Sequence, residues 1–273
     1  MLKTTLFTLL LLVAAFPLPA VAQTPNVGDN GVVNGASFVP FGQPGHPTAP
    51  GSIVSIFGTN FASAPAGAST VPLSTSLGGV RVFFNGKAAP LFFVSSGQIN
   101  AQLPWELAGT TASVVVTNSA GSSLAKTIQT NQISPAIFSA NQQGNGQGAV
   151  LFSNTRILAA PVGIFPGTES RPAKAGDVLT IYCNGLGPVT PSVTDGHNTL
   201  DGLRSTTIRP TVTVGGVTVP DIDVLFSGLA PQFVGLNQID FRLPPGVASG
   251  SAIPIRITVA GVESRPDVTI AVQ

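Results

Sequence analysis

The sequence predicts an all-β protein made of two tandem β-sandwiches with almost no helix. Short runs of Val, Ile, Thr and Phe alternate with turn residues along the 273-residue chain, which holds 31 Gly and 24 Pro. That composition is typical of many short strands joined by turns. The chain also repeats itself, because residues 98–104 read QINAQLP and residues 238–244 read QIDFRLP. A repeat period this long indicates two domains rather than a solenoid.

Other motifs recur in the same order in both halves of the chain. The apolar run at 53–57 returns at 178–182, and Ala120-Gly121 returns as Ala260-Gly261. The offset between equivalent motifs grows from 125 residues for the first pair to 140 for the second, which indicates longer loops in the second copy. Gly121 and Gly261 are therefore expected at equivalent positions.

The predicted strands share a short, apolar and often alternating pattern. In the first copy they are Ile53–Gly58, Val80–Asn85, Pro90–Val94, Gln98–Leu103 and Ser113–Asn118. In the second copy they are Val178–Tyr182, Thr211–Val214, Ile222–Phe226, Asn237–Leu243, Ile253–Val259 and Val268–Val272. About seven short strands per copy, with turns every eight to twelve residues, predict immunoglobulin-like sandwiches.

Two local patterns make this prediction more specific. Asn85-Gly86 and Gly215-Gly216 stand between strand runs, and such dipeptides supply the positive φ angles of tight hairpins. Gly86 and Gly216 are therefore expected in equivalent turns. The doublets Phe83-Phe84 and Phe92-Phe93 should each place one ring on either face of a sheet, because side chains alternate along a strand.

The chain divides into five predicted segments: a signal peptide at 1–22, an N-terminal segment with a possible first strand at 23–45, sandwich copy 1 at 46–131, a packed connecting segment at 132–172 and sandwich copy 2 at 173–273. The signal peptide is indicated by Lys3, the apolar run Leu6–Phe16 and the small residues Ala20 and Ala22. It predicts a secreted protein in the periplasm, at the cell surface or in the medium, with no membrane span after cleavage. The possible first strand lies within Val32–Phe38.

Several motifs together resemble one known domain family. They are NGASF at 34–38, PGSIVSIFGTN at 50–60, QINAQLP at 98–104, PAIF at 135–138 and GLGP at 185–188. The set is similar to the uncharacterised C-terminal domain of secreted proteins from Solibacter-like acidobacteria, whose repeats resemble the immunoglobulin-like IPT/TIG type. The resemblance extends from about Val32 to Gln273. It implies the fold and export, and it implies no catalytic residues.

Composition excludes several classes of partner and site. Only 8% of the residues are charged and the net charge is +1, without the clustered Lys and Arg that a nucleic-acid surface needs. Cys183 is the single cysteine, so no internal disulfide is possible; we expect it buried in a strand, the alternative being a reactive thiol or an intermolecular bridge. His46 and His197 are expected in loops. No cofactor is predicted.

The strongest metal candidate is a loop in the second copy. Asp195, Asn198 and Asp201 place two carboxylates and an amide between glycines, and calcium accepts such oxygen ligands. The loop lacks the ligand spacing of an EF-hand, and Asp and Asn are also common in ordinary turns. These three residues are therefore a weak calcium candidate, with a plain turn as the alternative.

Three functions remain open. The first is a non-enzymatic extracellular module for binding, adhesion or scaffolding, whose partner is an unknown protein or polysaccharide. The second is a carbohydrate-binding protein in which Trp105, at the end of a strand, stacks on a sugar ring; the alternative for Trp105 is a plug at the end of a sandwich core. The third is a secreted hydrolase with two carboxylates roughly 5–10 Å apart. The fold alone does not choose among them.

Overall fold

The computed structural model describes residues 23–40, 42–43 and 45–273. The predicted signal peptide, residues 1–22, lies outside the described residues. Within them the secondary structure is almost wholly β, with one short 3-10 helix at Asp221–Asp223. The prediction of an all-β, immunoglobulin-like sandwich fold with almost no helix is confirmed. No helix in the described part of the chain is long and apolar enough to cross a membrane.

The first half of the chain forms two five-stranded sheets. Its strands are β1 (Asn26–Asn34), β2 (Ile53–Thr59), β3 (Ala66–Gly67), β4 (Arg81–Phe84), β5 (Lys87–Ala88), β6 (Leu91–Val94), β7 (Gln98–Gln102), β8 (Thr111–Asn118), β9 (Gly121–Ser122) and β10 (Lys126–Gln129). One sheet has the order β1-β2-β7-β6-β3. The other has the order β10-β8-β4-β5, with β9 paired to β8.

The second half forms a nine-stranded and a six-stranded sheet. Its strands are β11 (Ala136–Ile137), β12 (Gly146–Gln147), β13 (Val150–Phe152), β14 (Leu158–Ala159), β15 (Ser170–Arg171), β16 (Val178–Asn184), β17 (Val189–Thr190), β18 (Ser205–Thr206), β19 (Thr211–Val214), β20 (Val217–Thr218), β21 (Val224–Leu229), β22 (Asn237–Arg242), β23 (Gly250–Val259), β24 (Val262–Glu263) and β25 (Val268–Val272). The larger sheet has the order β15-β14-β13-β16-β22-β21-β18-β17, with β11 on β16, and the smaller has the order β12-β25-β23-β19-β20, with β24 on β23.

Each half has its own hydrophobic core. The alternation of apolar and polar residues along the strands explains which side chains enter the core. In β19 the side chains of Val212 and Val214 are buried while Thr211 is exposed. In the first half the core includes Phe61 and Phe84, both fully buried. Burial of such side chains contributes roughly 1.5–3 kcal/mol each to the free energy of folding.

The two halves use the same strand registers. Ile53 of β2 lies opposite Gln102 of β7, and Val178 of β16 lies opposite Arg242 of β22. These pairs are related by the 125- and 140-residue offsets of the sequence repeat. Since a slip of one residue would turn the buried side chains outward, the shared register preserves the same inward positions in both copies.

A β-bulge also recurs at the equivalent place. It lies between Leu91 and Phe93 of β6 in the first copy and between Val224 and Phe226 of β21 in the second. The bulge overturns the expectation for one phenylalanine doublet: Phe92 and Phe93 are both half-buried, because the extra residue interrupts the alternation of faces. The other doublet alternates as expected, with Phe84 buried and Phe83 half-buried under the Arg81 guanidinium.

The hairpin predictions differ in outcome. Gly86 and Gly216 occupy equivalent two-residue turns with φ of +80° and +83°, which confirms the first. The second is wrong by one residue. Asn118 pairs with Gly121, whereas Val259 pairs with Val262, so Gly261 lies in the turn and Gly121 already lies in the strand. The turn in the second copy is therefore displaced by one position relative to the sequence match.

Most predicted strands are present with bounds shifted by no more than three residues, but two expectations need correction. Ile222–Phe226 is not a continuous strand, because a short 3-10 helix occupies Asp221–Asp223 and the strand begins only at Val224. Pro220 precedes this helix with a φ of −54°, a value that its ring fixes and that suits the residue before a helix. The first strand, β1, ends at Asn34 rather than covering Val32–Phe38. It stops there because the Asn34 side chain accepts a hydrogen bond from the Ala36 N–H and closes a turn.

Residues 132–172 extend the sheets of the second half. β11 and β13 both pair with β16, on the side of β16 that corresponds to the side of β2 where β1 pairs in the first half. Residues 138–149 connect β11 to β13 and include the two-residue strand β12; we call this segment the 138–149 loop. Gly144 brings this loop against the first copy, since a Cβ there would lie 2.2 Å from the Ser37 carbonyl oxygen.

Candidate binding clefts between the two copies

Buried amides join the two copies. The Asn184 side chain donates to the Ile53 carbonyl (2.7 Å) and to Asn34 Oδ1 (3.0 Å), and it accepts from the Ile53 N–H (3.0 Å). Asn34 in turn donates to the Ser134 carbonyl at 3.1 Å. Asn34 and Asn184 are fully buried, so each hydrogen bond that they make satisfies a group with no access to water.

A second set of polar contacts ties the loop after β17 to the first copy. Gln102 Oε1 accepts from the Gly196 N–H at 2.7 Å, and the Leu73 N–H donates to the Gly196 carbonyl at 2.8 Å. Asp195 Oδ1 accepts from the Trp105 N–H at 2.9 Å. These contacts, together with the hydrogen bonds of Asn34 and Asn184 (the amide cluster), fix the angle between the two sandwiches.

The joint leaves a cleft of about 810 Å³ that we call the inter-copy cleft. It is bounded by the outer face of β2 and β7, the turn after β1, and the 138–149 loop. Its lining residues are Gly35, Ala36, Phe38, Ile53, Ser55, Phe57, Gln98, Asn100, Phe138, Ser139, Asn141, Gln142 and Gln143. None of these carries a charge, and the set combines five amide side chains with three phenylalanine rings. A cleft of this size lies within the range of small-molecule sites.

One wall of the inter-copy cleft is an ordered hydrogen-bond chain. Ser55 Oγ donates to Asn100 Oδ1 at 3.1 Å, and Gln98 Nε2 donates to the same oxygen at 2.9 Å. Phe57 lies opposite Gln98 and is 37% exposed, with the Phe38 ring centroid 6.4 Å away. We call Ser55, Phe57, Gln98 and Asn100 the Ser55 network.

The facing loop is held in shape by its own hydrogen bonds. Ser139 Oγ accepts from the backbone N–H groups of Gln143 (3.1 Å) and Gly144 (2.8 Å). Asn141 Oδ1 accepts from the same Gln143 N–H at 2.9 Å. The amide side chains of the loop are thereby presented to the cleft by a fixed backbone.

Trp105 lies in a different, smaller cleft of about 450 Å³, which we call the Trp105 cleft. The indole is half-buried and packs on Gly51, where a Cβ would lie 2.3 Å from the ring, so only glycine permits this contact. Its Nε1 is buried without a hydrogen-bond partner among the described residues. The sequence placed Trp105 at the end of a strand, and its role in ligand contact stays a prediction.

Charge distinguishes the Trp105 cleft from the inter-copy cleft. Lys87 Nζ lies 2.7 Å from Glu106 Oε2 and 2.9 Å from Asp195 Oδ2. Burial lowers the pKa of Lys87, but the two carboxylates outweigh it and the net pKa is raised. The hydrogen bond from Lys87 lowers the pKa of Glu106. Lys87 and Glu106 are therefore both charged at neutral pH. The Lys87–Glu106 pair lies within the first copy, and the Lys87–Asp195 pair joins the first copy to the second.

The three predicted calcium ligands have other partners or lie apart. Asp195 is engaged by Lys87 and the Trp105 N–H. Asp201 is exposed and pairs with Arg204 Nη2 at 2.7 Å, which lowers its pKa. Asn198 is half-buried in the same loop. No group of three or more His, Cys, Asp or Glu residues that could hold a metal occurs in the part of the chain that the structure describes. The calcium assignment stays a prediction.

The single cysteine and the two histidines lie in different surroundings. Cys183 is fully buried in β16, which confirms that expectation, and burial raises its pKa far above the usual range. His46 lies in a loop, as expected, and is buried with Nδ1 3.2 Å from the Val39 carbonyl oxygen. His197 is exposed.

The carboxylates are mostly engaged in ion pairs. Nine of the eleven in the chain lie within 3.5 Å of a basic side chain. The two that remain are Glu169 and Asp240, and Asp240 accepts hydrogen bonds from Thr180 and Gln238. The hydrolase hypothesis requires two carboxylates flanking a scissile bond, and it stays a prediction.

Sequence reasoning missed the Ser55 network. A usable signal was present in the repeat itself, since Gln98 and Asn100 are polar residues at alternate positions of an apolar strand and return as Gln238 and Asp240. Alternation puts such pairs on one face of a sheet. What the sequence did not show is that the 138–149 loop of the second copy closes over this face in the first copy.

Comparisons with known proteins agree with the fold. A family model described as the IPT/TIG domain matches residues 37–132, which supports the tandem IPT/TIG interpretation. No curated protein matches the chain in sequence. The resemblance to the secreted domain of Solibacter-like acidobacteria stays a prediction.

Three solved structures are similar at low identity. SGBP-B from a complex xyloglucan utilization locus in Bacteroides uniformis has 14% identity and a TM-score of 0.27, with 91% of this chain and 50% of that chain covered. SGBP-B of the Bacteroides ovatus mixed-linkage glucan utilization locus, in complex with a mixed-linkage heptasaccharide, has 11% identity and a TM-score of 0.32, with 83% and 42% covered. The full extracellular region of plexin A4 has 9% identity and a TM-score of 0.26, with 96% and 17% covered. The chain thus spans half or less of each of these structures.

Proposed function

We propose that the chain is an extracellular, non-catalytic binding module whose ligand is a neutral carbohydrate held in the inter-copy cleft. The observation that carries the proposal is the lining of that cleft, which combines amides, hydroxyls and phenylalanine rings without a charged residue. Extracellular placement rests on the signal peptide read from residues 1–22.

The chemistry of the lining suits a sugar. Amide side chains both donate and accept, so they match hydroxyl groups, which do the same. Phe57 is exposed to the cleft and offers an apolar ring face to the C–H surface of a pyranose. A lining without charge supplies no counter-ion for a phosphate or a carboxylate, so a neutral ligand fits better than an anionic one.

The ordered walls of the inter-copy cleft support a role in binding. Both walls of the inter-copy cleft are fixed before a ligand arrives, one by the Ser55 network and the other by the hydrogen bonds of Ser139. Pre-organisation of this kind improves affinity because less conformational entropy is lost on binding.

The test is retention on polysaccharides. Residues 23–273, expressed without the predicted signal peptide, would be run by affinity electrophoresis through gels containing soluble cellulose ether, starch, galactomannan, xylan or laminarin. We expect at least one polysaccharide to retard the protein, and Phe57→Ala to weaken that retardation at least about tenfold, as loss of a stacking ring contributes roughly 1.5 kcal/mol. Phe165→Ala, which removes a half-buried ring outside the cleft, is the matched control.

The outcomes separate the hypotheses. Retardation that Phe57→Ala abolishes and Phe165→Ala leaves intact supports the inter-copy cleft. Retardation that is lost only with Trp105→Ala moves the carbohydrate site to the Trp105 cleft, whose half-buried indole favours it as the second candidate. No retardation in any gel contradicts carbohydrate binding and leaves a protein-binding or scaffolding module.

A further inference from the structure

The outer face of the second copy repeats the Ser55 network. The strand registers relate the side chains one to one, through β2 and β16 on one strand and β7 and β22 on the next. The equivalent pairs are Ser55 and Thr180, Phe57 and Tyr182, Gln98 and Gln238, and Asn100 and Asp240. We call the second set the Thr180 network.

The hydrogen bonds are repeated as well as the residues. Thr180 Oγ1 donates to Asp240 Oδ1 at 2.6 Å, as Ser55 donates to Asn100. Gln238 Nε2 donates to Asp240 Oδ2 at 3.1 Å, as Gln98 donates to Asn100. A hydroxyl and an amide thus converge on one oxygen-bearing side chain in both copies.

An aromatic ring also stands at the equivalent place. Tyr182 is half-buried opposite Gln238, and the Phe233 ring lies against it edge-on with centroids 6.4 Å apart. In the first copy the Phe38 ring lies at the same centroid distance from Phe57, but it is tilted by 45° rather than edge-on. Phe233 is 51% exposed, and it comes from the loop between β21 and β22 rather than from a position equivalent to Phe38.

The two networks differ in charge. Asp240 is a carboxylate where the first copy has an amide, and the pKa of Tyr182 is raised by burial and by the charge of Asp240. Tyr182 therefore stays a protonated phenol, able to donate. A carboxylate accepts hydrogen bonds from sugar hydroxyls about twice as strongly as a neutral acceptor.

We propose that the Thr180 network is a second carbohydrate subsite, so that the module is bivalent for one neutral polysaccharide. This inference rests on the proposed function, because the Thr180 network is assigned by its equivalence to the Ser55 network. Two subsites on one rigid frame engage repeats of the same polymer, and the second contact then forms at a high effective concentration.

The test follows the two glutamine side chains by NMR. Their amide NH2 groups give separate signals in ¹⁵N-labelled protein, assigned with Gln98→Ala and Gln238→Ala. The probe is the hexasaccharide of whichever polysaccharide retards the protein, or each of cellohexaose, maltohexaose, mannohexaose, xylohexaose and laminarihexaose in turn. We expect both signals to shift on titration.

Variants assign each shift to its own network. Tyr182→Ala should weaken the binding seen at Gln238 at least about tenfold and leave the titration of Gln98 unchanged, so that Gln98 also reports that the variant is folded. Phe57→Ala should do the reverse. The double variant Tyr182→Phe/Asp240→Asn, which gives the second copy the ring and amide of the first, should keep both titrations.

Three results would overturn the inference. If Gln98 shifts and Gln238 does not, the second subsite is absent while the proposed function stands. If Tyr182→Ala leaves the Gln238 titration unchanged, the shift does not come from the Thr180 network. If neither glutamine shifts with any of the five hexasaccharides, the proposed function itself fails and the second subsite fails with it.

Discussion

The two copies have the same framework and different outer faces. Both share the register of their central strand pairs and the position of one bulge. On the outer face the first copy is uncharged and closed over by the 138–149 loop, whereas the second carries Asp240 and Tyr182. Register and core burial tolerate few changes, because a slip exposes apolar side chains. The outer face is free to diverge, and the two copies differ there in the polar side chains that a ligand would contact.

The two copies also differ at the joint between them. Asn184 and Thr59 occupy equivalent ends of β16 and β2, yet Asn184 is fully buried at the joint while Thr59 is exposed. The end of β16 thus contacts the first copy, whereas the equivalent end of β2 is exposed to solvent. This asymmetry gives the largest expected effect on stability.

Asn184→Ala should destabilise the protein by roughly 3 kcal/mol, because it removes three hydrogen bonds at the joint, each worth about 1 kcal/mol, and takes the Asn184 acceptor away from the Ile53 N–H. Thr59→Ala, at the equivalent ladder position, should change stability by less than about 0.5 kcal/mol. Urea denaturation followed by tryptophan fluorescence measures both. Equal effects of the two substitutions would mean that the amide cluster does not hold the joint.

Gly86→Ala and Gly216→Ala should each cost about 1 kcal/mol, since both positions have left-handed backbone angles that Ala adopts only with strain. A Cβ at either site meets nothing within 4 Å, so the cost comes from the backbone alone and should be equal in the two copies. Thermal melts of the two variants test this. A difference above about 0.5 kcal/mol would show that the turns are not equivalent.

Acid should weaken the ion pairs of the Trp105 cleft, for which the second copy has no counterpart, because Trp105 and Glu106 correspond to Pro245 and Gly246. The folded-state pKa of Glu106 is lowered by Lys87, so its stabilisation is present above the unfolded pKa of about 4.3 and is lost as the pH falls through the folded value. Glu106→Gln should therefore flatten the loss of stability below about pH 4.3 slightly.

The effect is the smallest of the three, because Glu106 is exposed and solvent screens the pair. Urea midpoints of wild type and Glu106→Gln at several pH values between 3 and 6 measure it. Parallel curves over that range would show that the pair does not contribute to stability.

The sequence was sufficient for the framework because the framework is local. Alternation in Thr211–Val214 and the dipeptides at Gly86 and Gly216 specify strand faces and turns through nearest neighbours alone. The prediction of equivalent positions for Gly121 and Gly261 was wrong, because the hairpin turn is displaced by one residue between the copies. The identical Ala-Gly dipeptides do not reveal this displacement.

The candidate site was predicted only in part because it depends on contacts between distant segments. Trp105 lines a cleft whose other wall, at Pro188 to Asp195, is more than eighty residues away in sequence. Asn100 and Gln143 face one cleft only because Asn34 and Asn184 fix the joint. No local pattern encodes that arrangement.

The most direct test of carbohydrate binding in the inter-copy cleft is a crystal structure of residues 23–273 with a bound hexasaccharide. The hexasaccharide is taken from the polysaccharide that retards the protein in affinity electrophoresis. We expect a sugar ring stacked on Phe57, with hydrogen bonds from its hydroxyls to Gln98 and Asn100. A saccharide bound only in the Trp105 cleft, or elsewhere on the surface with the inter-copy cleft left to solvent, would contradict it.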